Sequence, residues 1–315
     1  MRVCRYAENG ESRVAFYHDE FILPLERAVA LYSEAGKGAA AELAKAGLLD
    51  CLPPDGSVNA VAREVAAWVE SNADAARERG IAADQAQLLA PIARPPKLFL
   101  LAGNYAKHIE EGGGVAVMRK ETFPYVFMKP ITTINHPGST VKIPDISPNH
   151  IDWEAELGIV IGRKAKGVTE ADALNYVAGY MVINDISDRK FRPNPDRKQR
   201  EKDGFFDWLH GKWHDGFCVM GPCITSSDTI PDPQTLALKL TVNGDVKQDA
   251  NTSQMIFPAA GVIEFISSFV TLEPGDVIST GTAAGVGNAS STYFKPGDEV
   301  AVSFDKIGVL KHHIG

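Results

Sequence analysis

Two glutamates and an aspartate set the chemical question this chain poses. The stretch Asp152-Trp-Glu-Ala-Glu-Leu-Gly-Ile-Val-Ile-Gly162 repeats with a period of two. Ala155, Leu157, Ile159 and Ile161 fall on one face of a strand, and Asp152, Glu154 and Glu156 on the other. The first face is a sheet core. The second crowds up to three like charges, which raises carboxyl pKa values unless a cation or solvent relieves them. A solvated edge strand satisfies that pattern. So does a divalent-metal site, because Glu-x-Glu on one strand aims two hard oxygen ligands at one point. A third candidate, Asp185, stands where the apolar run Gly179–Ile183 ends. Three such carboxylates suit Mg²⁺ or Mn²⁺ before Zn²⁺, with positions left open for substrate.

A second group is His108 with Glu111, three residues apart in Asn104-Tyr-Ala-Lys-His-Ile-Glu-Glu111. On a helical turn the two meet. A carboxylate that orients an imidazole makes it a better general base, although a surface His/Glu pair has the same spacing. Gly112-Gly113-Gly114 follows and suits a mobile lid. The segment Phe205–Phe217, read as a loop, carries Trp208, His210, Lys212, Trp213 and His214, which can line a pocket or simply pack.

Gly281-Thr282-Ala-Ala-Gly-Val-Gly287 lacks the Gly-Lys-Ser/Thr of a phosphate loop, and no helix pattern opens there. Backbone amides and the Thr282 hydroxyl fit a substrate-facing loop better. No Gly-x-Ser-x-Gly elbow is present, which argues against a serine nucleophile. His312-His313 reads as a surface pair.

The elements that must position these groups come in two textures. Residues 1–93 open with strands Val3–Tyr6 and Val14–Tyr17 around Asn9-Gly10, a hairpin signal, and Phe21–Leu25 adds a third strand. Helical patterns follow at Leu25–Ala35, at Ala39–Leu49 and from Ser57 onward. This segment reads as a small N-terminal α/β domain serving stability or dimer contacts. Pro91 and Pro95-Pro96 mark the join to residues 94–315. There the pattern gives short strands at Lys97–Ala102, Pro124–Lys129 and Thr140–Ile143, and a helix capped by Thr169. After residue 217 it reads as all β, with turns at Asn243-Gly244, Pro274-Gly275 and Pro296-Gly297.

With 315 residues and 44% hydrophobic content the chain can bury a sizeable core. A net charge of −8 without a Lys/Arg run argues against nucleic acid. Four cysteines without Cys-x-x-Cys spacing suit reduced, buried thiols. No signal segment or membrane-length apolar run is present, so a cytoplasmic protein with no membrane partner is expected.

Seven motifs then coincide in order: Asn104–His108, Phe127–Pro130, Asp152–Gly158, Gly179-Tyr180 through Asn184-Asp185, Gly211-Lys212, Thr252–Met255 and Thr280–Thr282. Together they resemble the fumarylacetoacetate hydrolase family over residues 97 to 310, in its acylpyruvase-like branch. The resemblance implies an α+β, mainly β fold, a mixed β-sandwich roll, usually a homodimer. It implies Glu154, Glu156 and Asp185 as metal ligands for Mg²⁺ or Mn²⁺. It gives His108 and Glu111 the activation of water and makes Lys212 the active-site lysine. Arg189, Lys129, Gly281 and Thr282 would face substrate. The implied reaction is cleavage of a C–C bond in a 2,4-dioxo acid to pyruvate and a carboxylic acid. Decarboxylation of an oxaloacetate-like acid, or hydration or isomerisation of a 2-oxo-alkenedioic acid, would use the same carboxylates; a non-catalytic oxo-acid binder is the remaining class. Asn104 stands where fumarylacetoacetase itself has a further metal-binding aspartate. Ala283 and Trp213 replace the family's usual proline and serine.

Overall fold

The computed structural model describes residues 1–315. The N-terminal segment forms strands β1 (Arg2–Glu8), β2 (Glu11–Tyr17) and β3 (Phe21–Pro24), then helices α1 (Leu25–Glu34), α2 (Asn59–Ser71) and α3 (Ala73–Arg79). Short strands β4 (Ile81–Ala82) and β5 (Gln87–Leu89) close it. Asn9 and Gly10 both take positive φ, as the β1–β2 turn requires. The helix expected over Ala39–Leu49 does not form. Two single 3₁₀ turns at Leu43–Lys45 and Leu49–Cys51 replace it. Gly36 and Gly38 hold positive φ before them, and Asp50 takes the Gly47 amide with its side chain, competing with the helical ladder.

The remainder runs β6 (Leu98–Ala102), α4 (Ala106–Glu111), β7 (Tyr125–Met128), β8 (Ile134–Asn135), β9 (Thr140–Val141) and β10 (Ile151–Asp152). β11 (Ala155–Ile161), α5 (Glu170–Ala173), β12 (Val177–Asp185), β13 (Ser187–Asp188), α6 (Asp203–Gly211) and β14 (Cys218–Ser226) follow. The chain ends with β15 (Ala237–Val242), β16 (Asp245–Asn251), α7 (Ala259–Phe269), β17 (Val277–Thr282), α8 (Gly287–Ser290), β18 (Glu299–Phe304) and β19 (Gly308–Ile314).

Two of these helices depart from the sequence reading. α6 lies in what read as a loop; Arg197 clamps Asp203 and Asp207, one turn apart, and anchors its first turns. α7 lies in what read as all β, because its run Val262-Ile263 and Phe265-Ile266 also suits a buried strand. Thr169 caps α5 as expected, accepting from the Asp172 amide.

A 12-stranded sheet carries the order β4-β3-β2-β1-β14-β12-β11-β17-β6-β7, and a 5-stranded sheet the order β16-β15-β18-β19-β9. One face of the large sheet packs on the small sheet and α7, with Ala155, Leu157, Ile159 and Ile161 in that core. The other packs on α1 and α2, bringing Leu25 and Val65 together with Val160 and Met181. Because β1 pairs with β14, residues 1–93 extend the same sheet as residues 94–315. The change of texture at residue 93 is not a gap in the sheet. No helix is long and apolar enough to cross a membrane, and all four cysteines are free and buried.

Candidate metal centre

β11 settles the first ambiguity. It lies between β12 and β17 and is buried along its whole length, so its acidic face is not a solvated edge. Glu154, Glu156 and Asp185 converge there, with one ligand oxygen from each lying within 4.8 Å of the others. The Ala155↔Asn184 register sets the convergence, placing the end of β12 beside the start of β11. The Asp185 amide donates to the Glu154 carbonyl at 2.9 Å. Asn184 helps: its Oδ1 accepts from the Glu154 amide at 2.9 Å.

Asp152 does not join them. It sits on β10, paired with β13, and one carboxylate oxygen accepts from the amides of Trp153 and Gly287. The other accepts from the Asn288 amide and from Arg189 Nε at 2.7 Å. Gly287 has to be glycine, since a Cβ would stand 2.7 Å from that carboxylate and 2.0 Å from a backbone carbonyl. The alternation of the sequence is broken between Asp152 and Ala155, so the expectation of three carboxylates from one strand reduces to two.

Cations surround the triad. Lys212 Nζ stands 2.6 Å from both Glu154 Oε2 and Asp185 Oδ2. Lys129 Nζ donates to Asp185 Oδ1 at 2.6 Å, to the Phe217 carbonyl at 2.7 Å and to the Ile186 carbonyl at 3.2 Å. Arg189 Nη2 approaches Glu154 Oε1 to 2.6 Å, a close ion contact whose angle is too poor for an aligned hydrogen bond. Four carboxyl groups, counting Asp152, thus meet three cations.

Glu156 bears the imbalance. Burial pushes its carboxyl well above the usual carboxylate range, and Asp185 and Glu154 push the same way. Burial would also raise Glu154, but Lys212, Arg189 and His108 overcome it and hold that carboxyl low. Burial works against Lys212, yet Asp185 and Glu154 raise its pKa and keep it charged. Glu156 Oε2 accepts from the Ser279 hydroxyl and, at 3.0 Å, from the Gly281 amide; Oε1 is buried with no partner.

This chemistry fits a divalent cation. The donors are hard oxygens, one of them is orphaned, and an ammonium already stands between two of them as a monovalent substitute. A divalent ion with Glu156 ionised would leave the cluster at one net positive charge, suited to an anionic ligand.

The other expected residues divide into two sets. His108 Nδ1 lies 2.8 Å from Glu111 Oε1, and Glu111 Oε2 accepts from the Gly285 amide at 2.8 Å. The carboxylate thus holds the Nδ1 proton and leaves Nε2 available as a base. His108 is near enough to Glu154 to depress its pKa, so dyad and triad share one site. Lys129, Gly281 and Thr282, by contrast, are committed to the protein. All three Lys129 protons have acceptors. Gly281, at φ +84°, gives its amide to Glu156. Thr282 Oγ1 donates to the Ala155 carbonyl at 3.0 Å and accepts from Gln248 Nε2 at 2.9 Å. These residues hold the ligand strand.

Sequence reading missed Gln248 and His312. Gln248 is buried on β16 and also accepts from the Ala155 amide at 2.9 Å, tying the small sheet to β11 and β17. His312 is buried rather than on the surface, with Nε2 2.8 Å from Asn184 Nδ2. Tyr105 is buried too, its hydroxyl unpaired. A Gln in a polar strand and a His in a terminal pair carry no local signal of such contacts.

The chain as a whole is similar to several known proteins. The model of the fumarylacetoacetate (FAA) hydrolase C-terminal family matches residues 97–315. A mitochondrial oxaloacetate tautomerase of Xenopus laevis is 39% identical over 229 residues, 72% of this chain and 68% of that protein. The 2,4-didehydro-3-deoxy-L-rhamnonate hydrolase of Sphingomonas sp. (strain SKA58) is 37% identical over 227 residues, 71% of this chain and 75% of that protein. Among solved structures, the 2-hydroxyhepta-2,4-diene-1,7-dioate isomerase of Mycobacterium marinum superposes with a TM-score of 0.68 at 28% identity, over 100% of this chain and 98% of that one.

Proposed function

The chain belongs to the fumarylacetoacetate hydrolase family, and from that premise we propose that it hydrolyses the C3–C4 bond of a 2,4-dioxo acid, releasing pyruvate and a carboxylic acid. One observation carries the reading: an imidazole oriented by a carboxylate, His108 Nδ1 to Glu111 Oε1 at 2.8 Å, beside a buried acid triad. Proton transfer alone asks less of the site than activation of water, which gains from a base so oriented.

Glu154, Glu156 and Asp185 would hold Mg²⁺ or Mn²⁺, which supplies Lewis acidity toward the carboxylate and 2-oxo oxygens of the substrate. His108 Nε2 takes a proton from water, and the hydroxide adds to the C4 carbonyl. The C3–C4 bond breaks with its electron pair left on C3. The proton held on His108 returns to C3, so atoms and charge balance as pyruvate and the acid. Lys212 and Arg189 place fixed positive charge where negative charge develops. Glu111, pinned to the Gly285 amide, keeps α4 over the site and excludes bulk water.

The test is pyruvate release from acetylpyruvate and fumarylpyruvate with Mg²⁺, with Mn²⁺ and with a chelator. Metal-dependent pyruvate is the expected outcome; no pyruvate from any diketo acid would overturn the reading. A second reading, tautomerisation of oxaloacetate, is supported by the 39% identity to the Xenopus tautomerase. It needs His108 only to move a proton between C3 and oxygen. Loss of the enol absorbance of oxaloacetate without pyruvate formation would favour it.

A further inference from the structure

Asp152 is buried at the metal centre without being one of the three candidate ligands. Its two oxygens collect four donors from three separate stretches of chain. The Trp153 amide is adjacent in sequence, Arg189 Nε lies 37 residues on, and the Gly287 and Asn288 amides lie 135 and 136 residues on. A carboxylate so saturated fixes the direction of every group that donates to it. Two of those stretches lead back to the reacting side chains.

The first path runs through the loop 283–288. Trp153 Nε1 donates to the Gly285 carbonyl at 3.0 Å, while Asp152 holds the amides of Gly287 and Asn288. Gly285 also presses on the Lys247 carbonyl, which a Cβ there would approach to 2.1 Å. The loop therefore has little freedom. Its Gly285 amide is aimed at Glu111 Oε2, 2.8 Å away, and the other oxygen of Glu111 meets His108 Nδ1. The second path runs through Arg189, whose amide donates to the His150 carbonyl at 3.0 Å. The guanidinium is planar, so anchoring Nε on Asp152 sets where Nη2 meets Glu154 Oε1.

We infer that Asp152 is a positioning residue that keeps the His108–Glu111 dyad in register with the metal-ligand cluster. α4 cannot hold that register by packing: it is six residues long, buries none of them and runs into glycines. Asn104 and Tyr105 are buried and anchor its start, but its end depends on the Gly285 amide. Asp152→Asn keeps the size of the side chain and sets an amide nitrogen against two of the four donors. Loop and guanidinium both lose their hold, and Glu111 loses a fixed partner. The inference rests on the reading of His108 as the base, whereas hydrogen exchange tests the coupling without that reading.

Exchange in Asp152→Asn, measured without substrate, should speed about tenfold over residues 106–111 and 285–288 and stay unchanged in β18 and β19. Unchanged exchange over 106–111 overturns the inference. So does equal acceleration of β18 and β19, which would leave Asp152 a role in stability alone. Wild-type exchange in low urea keeps the inference testable where the variant misfolds. Each opening that exposes the Gly287 and Asn288 amides should also expose those of α4, so α4 amides better protected than these two overturn it. Turnover then connects the coupling to the base. Asp152→Asn should lower kcat roughly 10- to 100-fold. Combined with Glu111→Gln it should lose clearly less than the product of the two single losses. Losses that multiply would mean that Asp152 acts independently of Glu111 and overturn the positioning role. With no turnover of any oxo acid, the exchange result decides the coupling by itself, and what fails is the proposed reaction.

Discussion

His312 Nε2 lies 2.8 Å from Asn184 Nδ2, and Asn184 Oδ1 accepts from the Glu154 amide. Because the amide nitrogen is a donor, His312 must accept through a neutral Nε2. Burial pushes its pKa down from 6.5 to about 4. Between those values the unfolded chain binds more protons than the folded one, so stability is full above pH 6.5 and declines as pH falls toward 4. The loss is on the order of 3 kcal/mol. Urea unfolding of wild type and His312→Gln at several pH values in that range checks it. The variant should lose most of the slope, and an unchanged slope would place the acid sensitivity elsewhere.

Glu156→Gln should separate two roles. The variant without metal should be at least as stable as metal-free wild type, because a neutral amide replaces a buried carboxyl that Asp185 and Glu154 already disfavour as an anion. Wild type should gain about 2.7 kcal/mol at Mn²⁺ one hundred times its Kd, and a chelator should remove the gain. The variant should gain nothing and lose metal-dependent turnover. Normal turnover in it would sink the ligand assignment.

His108 and Glu111 should differ in kind. His108→Ala removes the base and should lower kcat roughly 100- to 10,000-fold while leaving Mn²⁺ binding intact. Glu111→Gln keeps much of the shape but weakens orientation of the imidazole and the contact with the Gly285 amide, for a loss of about 10- to 100-fold. Equal losses with weakened metal binding would mean that both residues serve the triad rather than water.

Local physics explains what could be read from sequence. The period-two faces of β11, the Asn-Gly hairpins and the Thr169 cap are each determined within a few residues, and each appears where expected. The triad was legible because two of its members share a strand and the third ends one. What escaped depends on partners far along the chain. Lys129 is 56 residues from Asp185, and its remaining protons go to carbonyls at 186 and 217. Nothing near Lys129 signals that its donors are used up. Asp152 shares the alternation of Glu154 and Glu156, but the β10–β13 pairing turns it toward Arg189 and the Gly287 amide. The Ala39–Leu49 pattern is helical in composition and yields to Gly36, Gly38 and the Asp50 side chain.

Asn104 offers the sharpest check on how such a site is specialised. Its Nδ2 donates to the carbonyls of Thr280 at 2.8 Å and Phe257 at 3.0 Å, and its Oδ1 accepts from the Phe257 amide at 2.8 Å. The side chain is buried and fully engaged, holding β17 to the segment that leads into α4. Asn104→Asp, the residue type that the resemblance gives to fumarylacetoacetase at this position, would replace one two-donor amide nitrogen with an acceptor oxygen facing two carbonyls. The cost should be about 2–4 kcal/mol, with no tighter Mn²⁺ binding, because the new carboxyl would point at Thr280 and Phe257 rather than at the triad. Thermal unfolding with and without Mn²⁺ measures both quantities. Tighter binding at unchanged metal-free stability would mean that position 104 can serve as a fourth ligand in this chain. The expected loss of stability would mean that in this chain the position holds the backbone around the metal centre instead.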